Sequence, residues 1–252
     1  MGERVRAVLE AEPTLALEAA IESPDHPGIG ETVAAGVRVT ADATAALPGC
    51  DVVIDFSRPE ATLETLRAAA DAKVAYVTGT TGFSAAQRSE IERLSERIPV
   101  VLAPNFSVAV NVLGWLVREA ARRLGPGYDA ELVELHHAAK RDAPSGTALR
   151  LAESIAEARG QKLADHLVLE RAGETGARRE GDIGIQTLRG GDCPGEHTVL
   201  FVGPGERLEL SHRAATRDHF ARGAVRAAAW VIGRPPALYR IEQVLGLDEA
   251  DR

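Results

Sequence analysis

Cys50-Asp51-Val52-Val53-Ile54-Asp55-Phe56-Ser57-Arg58-Pro59-Glu60 is the stretch on which the fold turns. Its Val52-Val53-Ile54 centre is a short β-branched run, suited to a strand buried on both faces as in a parallel sheet. Ser57 and Glu60 then stand three residues apart ahead of an apolar-periodic segment, the pattern of a capping box that opens a helix. The same alternation runs outward in both directions. Upstream, residues 3–10 read as a helix with Val5, Val8 and Leu9 on one face. Residues 15–21 read as a strand ending at Glu22, followed by a polar loop over 23–30. Downstream, residues 73–78 form a strand leading into Gly79-Thr80-Thr81-Gly82. Ser84 and Gln87 make a second capping box before a helix carrying Ile91 and Leu94. Residues 99–103 give a further strand ending at Pro104-Asn105-Phe106. Short strands alternating with helices predict an α/β unit around a parallel sheet.

Past this point the rhythm changes. A helix over 110–123 and a Gly125-Pro126-Gly127 break precede a strand at 130–137 and a helix at 147–159. Residues 183–188, 197–202 and 207–212 read as antiparallel strands joined by glycine-rich turns. A final helix over 218–231 stops before Gly233-Arg234-Pro235-Pro236, where glycine and proline end helices well. The expectation is a second unit of mixed α+β type.

Composition bounds the function. A chain of 252 residues is comfortable for two domains, and 45% apolar with 26% charged residues is globular. No apolar run approaches the roughly 20 residues of a membrane span. The first six residues lack an apolar signal stretch, so nothing points to export. Cys50 and Cys193 have no metal-ligand spacing and suggest a reducing, cytoplasmic setting. A net charge of −8 and only 4% aromatics argue against a broad nucleic-acid surface, though they leave room for a local basic pocket.

Two places carry binding chemistry in the first unit. Glu22 ends a strand about 20 residues past Gly2, the spacing at which an acidic group bonds the ribose of a dinucleotide. The plainer reading is a solvated loop carboxylate. Gly79-Thr80-Thr81-Gly82 and Asn105-Phe106 end successive strands at the carboxyl edge, where open α/β sheets bind ligands. A tight turn that needs glycine would explain the first equally well.

His136-His137-Ala138-Ala139-Lys140-Arg141-Asp142-Ala143-Pro144-Ser145-Gly146-Thr147 is the most informative run. Two histidines, a lysine and an arginine crowd a strand end, and Ser145-Gly146-Thr147 begins a helix whose buried stripe is Ala148, Leu151, Ala152 and Ile155. Free amides at a helix N-terminus bind anions, lysine supplies a transferable proton, and histidine titrates near neutrality. Only three of the 29 basic residues are lysines, so Lys140 hints that an amine is required there. Together these suit a small dicarboxylate that gains or loses a proton. Against this stand two plainer readings: Ser145 or Thr147 as a helix cap only, and one of the alternating histidines as packing. A metal site is not expected, because adjacent histidines rarely converge on one ion and no Cys or Glu completes a tetrahedral set.

The run 134–148 resembles the signature of the dihydrodipicolinate reductase family, which reduces 4-hydroxy-tetrahydrodipicolinate in the diaminopimelate route to lysine. Asp55-Phe56-Ser57-Arg58-Pro59, Gly79-Thr80-Thr81-Gly82-Phe83, Pro104-Asn105-Phe106-Ser107, Gly195-Glu196-His197-Thr198 and the closing helix fall in family order, so the likeness covers essentially the whole chain. It implies a Rossmann-like dinucleotide-binding domain over 1–106 and 217–252. A substrate-binding and tetramer-forming α+β domain would span 107–216, with a hinge that closes. The implied cofactor is NADH or NADPH and the implied assembly a homotetramer. By position, His136 matches the family's proton donor/acceptor and Lys140 its proton donor. His137, Ser145, Gly146 and Thr147 match groups that hold the substrate carboxylates. Glu22, Gly79, Thr80, Thr81 and Ala103, Pro104, Asn105 and Phe106 match cofactor contacts, and Arg58 a basic residue near the adenosine end.

In one respect the sequence departs from that pattern. The family's opening strand and Gly-x-x-Gly-x-Met-Gly turn are absent except for Met1-Gly2. The expectation is therefore a dinucleotide domain missing its first strand, with a start assigned too far downstream or a trimmed chain as the cause and pyrophosphate binding in question. Two other functions share these features: an oxidoreductase acting on another small dicarboxylate, and a non-catalytic regulatory protein that binds nucleotide or dicarboxylate.

Overall fold

The computed structural model describes residues 1–248. The chain forms two compact units, Met1–Val108 with the segment from Asp218 onward, and Ala109–Arg217.

In chain order the first unit contains α1 (Gly2–Leu9), β1 (Ala20–Ile21), β2 (Thr32–Ala34), β3 (Val37–Thr40), α2 (Ala43–Ala46), β4 (Val52–Asp55), α3 (Pro59–Ala72), β5 (Ala75–Thr78), α4 (Ala85–Ser95) and β6 (Pro99–Leu102). The second unit holds α5 (Val108–Leu124), β7 (Asp129–His136), α6 (Gly146–Ala158), α7 (Leu163–His166), β8 (Leu167–Val168), β9 (Ile183–Arg189), β10 (Glu196–Gly203) and β11 (Glu206–Arg213). The chain then returns to the first unit with α8 (Asp218–Val231), β12 (Ala237–Tyr239) and α9 (Ile241–Val244).

The main sheet of the first unit is parallel, in the order β12-β6-β5-β4. All four residues of β5 are buried, as the two-sided covering of a parallel sheet requires. On one side Tyr76 and Val100 pack with Leu63, Leu66, Ile91 and Leu94 of α3 and α4. On the other, Ala75, Val77 and Val101 meet Ala224, Ala227, Ala228 and Val231 of α8. Those small residues let α8 approach closely. A Cβ built at Gly223 would lie 1.7 Å from the carbonyl oxygen of Phe106, so only glycine fits there.

Several sequence expectations are corrected here. The strand expected at 15–21 shortens to β1, which ladders on one side only, with β3. The hairpin β2–β3, turning at Gly36 (φ +78°), was unforeseen, and it gives a separate sheet in the order β1-β3-β2. Among the described residues no strand joins this sheet to the edge of β4. Lys73 belongs to the end of α3 as a left-handed cap (φ 59°), so the next strand starts at Ala75. Ser57 does not cap α3. Its amide is taken by the Asp55 carboxylate at 2.8 Å, and the helix starts on Pro59 with Arg58 at the N-cap position. The Ser84–Gln87 box does form, with both reciprocal bonds. β12, parallel to β6, follows the Gly-Arg-Pro-Pro stop unannounced.

The second unit is a mixed sheet in the order β11-β10-β7-β9-β8, with α5 and α6 packed through Leu113, Val117, Leu151 and Ile155. β9 is parallel to β7 and is not a neighbour of β10, which corrects the all-antiparallel expectation. A helix-length crossover separates β7 from β9, and such connections suit parallel pairing. The stripe Ala148, Leu151, Ala152 and Ile155 is buried, joined by Ala156. No helix among the described residues is long and apolar enough to cross a membrane.

Candidate active site

Alternate residues of β7 face the core of the second unit, and along that face the chemistry changes. Ala130 and Leu132 are followed by Glu134 and His136, both buried. The ladders then fix their neighbours. Antiparallel β10 sets His197 opposite Glu134, β11 sets His212 opposite His197, and parallel β9 sets Thr187 beside Glu134 and Arg189 beside His136. Residues up to 78 positions apart thus share one end of the sheet.

Glu134, 1% exposed, is the centre of the arrangement. Its Oε2 accepts from Arg189 Nη1 at 2.8 Å and lies 2.5 Å from His136 Nδ1. Its Oε1 accepts from Arg189 Nη2 at 2.9 Å, the Ser145 amide at 3.0 Å and the Thr187 hydroxyl at 3.2 Å. Burial works to raise its pKa, but the Arg189, His136 and Ser145 bonds outweigh it and hold the carboxyl at about 2. Burial lowers His136 below the usual histidine value, with Glu134 offsetting part of the shift. His197, stacked edge-on at 5.2 Å from the His136 ring, is pushed down to about 4 by burial and then by repulsion from His136.

Ser145 is the helix cap that one reading of the sequence expected. It caps α6 by accepting the Ala148 amide at 3.1 Å, and its hydroxyl lies 3.1 Å from His197 Nε2. Gly146 opens the helix into free space, with nothing within 4 Å of a Cβ built on it. Lys140 is held by Asp142, Nζ to carboxylate 2.8 and 2.9 Å, which draws the Asp142 pKa down. The half-buried His137 is fixed through its amide, which donates to Cys193 O at 2.8 Å.

The other group of expected residues lies in the first unit. Glu22 is exposed just past β1, and its carboxylate accepts the Ser23 amide at 3.2 Å. Arg58, Thr81 and Pro104 are exposed. Thr80 is buried, its hydroxyl 2.8 Å from that of Thr62. Ala103 and Phe106 are fully buried, Phe106 stacking edge-on with Phe56 at 5.7 Å, so what these two offer a ligand is backbone. Asn105 Oδ1 accepts the Ser107 amide at 2.8 Å. Gly79 is glycine for a steric reason, since a Cβ there would sit 2.1 Å from the Phe56 ring.

Sequence reasoning missed two carboxylates. Asp55 ends β4 and gathers the Ser57 amide (2.8 Å), the Thr62 hydroxyl (2.5 Å) and the Tyr76 hydroxyl (3.0 Å), tying the loop after β4 to α3 and β5. Glu134 was quoted only as part of a motif. Both break an apolar register at a strand end, which is a readable signal: a buried charge needs partners nearby.

The carboxyl edge of the first unit fits a dinucleotide. Parallel strands end there, Gly82 (φ +85°) leaves open space over its turn, and an acidic residue lies exposed beyond β1. Residues 1–106 match the profile described as dihydrodipicolinate reductase, N-terminus, and residues 109–245 that of its C-terminus. The chain belongs to the dihydrodipicolinate reductase family. It is 52% identical to the 4-hydroxy-tetrahydrodipicolinate reductase of Anaeromyxobacter dehalogenans strain 2CP-1, over 98% of this chain and 94% of that one. The corresponding protein of Geobacter metallireducens is 47% identical, over 98% and 95%. A dipicolinate-bound dihydrodipicolinate reductase from Paenisporosarcina sp. TG-14 shares the fold, with a TM-score of 0.79 at 23% identity over 95% of this chain and 92% of that one. In this dihydrodipicolinate reductase family member, the densest ionisable chemistry on the sheet is gathered at the ends of β7, β9 and β10.

Proposed function

We propose that the protein is an NAD(P)H-dependent reductase of 4-hydroxy-tetrahydrodipicolinate, acting in the diaminopimelate route of lysine biosynthesis. The observation that carries this reading is the joint placement of His136, Lys140 and the open N-terminus of α6 around one end of a rigid sheet. A dicarboxylate has two charges to be met. The Gly146 and Thr147 amides, the Ser145 hydroxyl and His137 are the groups proposed to meet them. The overall change removes the hydroxyl as water while one hydride and one proton enter. A bound nicotinamide supplies the hydride. Lys140, released from Asp142 by the competing substrate carboxylates, gives its proton beside the carbon that accepts the hydride, and His136 exchanges protons at the same locus. Glu22, Arg58, Gly79, Thr80, Thr81 and residues 103–106 are proposed to hold the cofactor.

Glu22 favours a free ribose diol and repels a 2′-phosphate, while Arg58 attracts one. The residue after Glu22 is Ser23 rather than a cation, so NADH is expected to be used at least as well as NADPH. Oxidation of each cofactor by the purified protein with 4-hydroxy-tetrahydrodipicolinate tests both points. No turnover with either cofactor would overturn the function, and a tenfold or larger kcat/KM preference for NADPH would show that Arg58 prevails.

A homotetramer is proposed from the uncovered face of the second sheet. Val133, Leu135 and Leu200 lie there half-buried, beside Leu188 at 51% and Val202 at 40% exposure. Apolar side chains on an open sheet face favour association. Sedimentation equilibrium should return four chain masses, and a monomer at micromolar concentration would refute it.

A further inference from the structure

We infer that Glu134, locked against Arg189, is the positioning residue of His136: it fixes the imidazole as its Nδ1–H tautomer and leaves Nε2 as the reacting nitrogen. This rests on the reading of His136 as a proton-handling group, and adds which nitrogen acts and what sets it.

An ionised carboxylate can only accept hydrogen bonds. With Glu134 Oε2 at 2.5 Å from Nδ1, the hydrogen must sit on Nδ1 whether the ring is neutral or charged. In the neutral ring, Nε2 then carries the lone pair. It faces Gly195, where a Cβ would come within 2.8 Å of it, so glycine keeps that nitrogen uncovered. The carboxylate cannot rotate away to favour another geometry. Arg189 grips both of its oxygens, and the Ser145 amide and Thr187 hydroxyl hold Oε1. Arg189 also donates to the carbonyl of Asp142 at 2.7 Å, so the loop carrying Lys140 is anchored to the same carboxylate.

The charged and titratable groups around His136 are Glu134 on its own strand, Arg189 on β9, His197 on β10 with His212 behind it, and Lys140 and Asp142 on the following loop. Glu134 favours the imidazolium, whereas burial, Lys140 and Arg189 oppose it. Removing the Glu134 charge therefore does two things to His136. It makes the ring harder to protonate, and it frees the tautomer.

Glu134→Gln keeps the shape but presents an amide NH2. With its carbonyl oxygen retained by Arg189 and Ser145, that NH2 faces Nδ1 and makes it an acceptor, which moves the ring hydrogen to Nε2. Nitrogen-15 NMR of histidine-labelled protein, with the His136 signals identified by their loss in His136→Gln, is the test. The expected result is an Nδ1-protonated ring in the wild type at neutral pH and an Nε2-protonated ring in Glu134→Gln. That exchange should lower kcat about 100-fold or more, as wrong-tautomer substitutions do in other histidine–carboxylate pairs, with KM for NADH within about twofold of wild type. Glu134→Asp, which keeps the charge on a shorter arm, should recover part of the loss. A wild-type His136 protonated on Nε2 would overturn the inference, and so would Glu134→Gln with kcat within about threefold of wild type. If Glu134→Gln does not fold, the wild-type tautomer alone decides. The NMR measurement needs no substrate. A wild type without reductase turnover would thus overturn the functional reading while leaving the tautomer to be judged separately.

Discussion

Replacing Lys140 with Ala is expected to lower kcat about 10² to 10⁴-fold, equivalent to about 3–5 kcal/mol of transition-state stabilisation, with the Kd for NADH near that of the wild type. The side chain belongs to the second unit, whereas the residues proposed to bind cofactor belong to the first, so the two effects should separate. Lys140→Arg sharpens the test. Arginine keeps the positive charge but does not release a proton at any working pH, so it should restore substrate affinity without restoring turnover. Steady-state kinetics with a cofactor titration measures both. An alanine variant that keeps more than a tenth of wild-type kcat would remove Lys140 from the chemistry.

The second large effect is on stability. The unfolded chain protonates His197 near its ordinary pKa of 6.5, whereas the folded site resists until about pH 4. Between these values the unfolded state binds more protons, so stability is complete above pH 6.5 and falls as the pH drops. At 1.36 kcal/mol per unit the loss is about 3 kcal/mol. His136, also lowered, acts in the same direction. Glu134 continues the trend further down, from an ordinary 4.5 to about 2 in the fold, and costs about 3 kcal/mol more as the pH falls through that window. The chain has two tryptophans, so Trp230→Phe leaves Trp115 to report the second unit alone. Urea titrations followed by Trp115 fluorescence should show the two windows, and His197→Gln should shrink the upper one while sparing the lower. Stability that stays level between pH 6.5 and 4 would mean that the folded site accepts the proton freely.

What the sequence revealed was local, and what it hid was set by partners distant in the chain. The Ser84–Gln87 box was legible because both of its bonds close within one turn. The matching signal at Ser57 misled because Asp55, two residues earlier, takes the amide first. The helix 218–231 was read correctly from periodicity and punctuation, and the strand expected at 130–137 forms one residue earlier at each end, as Asp129–His136. The parallel seat of β9 was not, because strand order depends on which edge of β7 is free after α6 crosses, and glycine-rich turns look alike in either case. Within the site, His136, Lys140 and Ser145 stood out as a cluster along the chain. Arg189 lies 55 positions from the carboxylate it grips, and nothing in its own neighbourhood marks it. Glu134 was visible in principle, as the charge that interrupts Ala130 and Leu132 on the buried face of β7.

The loop between β7 and α6 is tied at both ends. His137 and Ala138 donate to the carbonyls of Cys193 and Gly191, and beyond Lys140 the Asp142 carbonyl and the Ser145 amide are held by Arg189 and Glu134. Lys140 therefore hangs from a span of a few residues, and its reach is little more than the length of its own four methylenes. In the role proposed for Lys140, such a tether would raise the effective concentration of the amine at the reacting atom far above that of a free amine in solution. Most of the entropy of bringing that proposed acid to the substrate would then be spent when the chain folds. Asp142 sets where the ammonium rests.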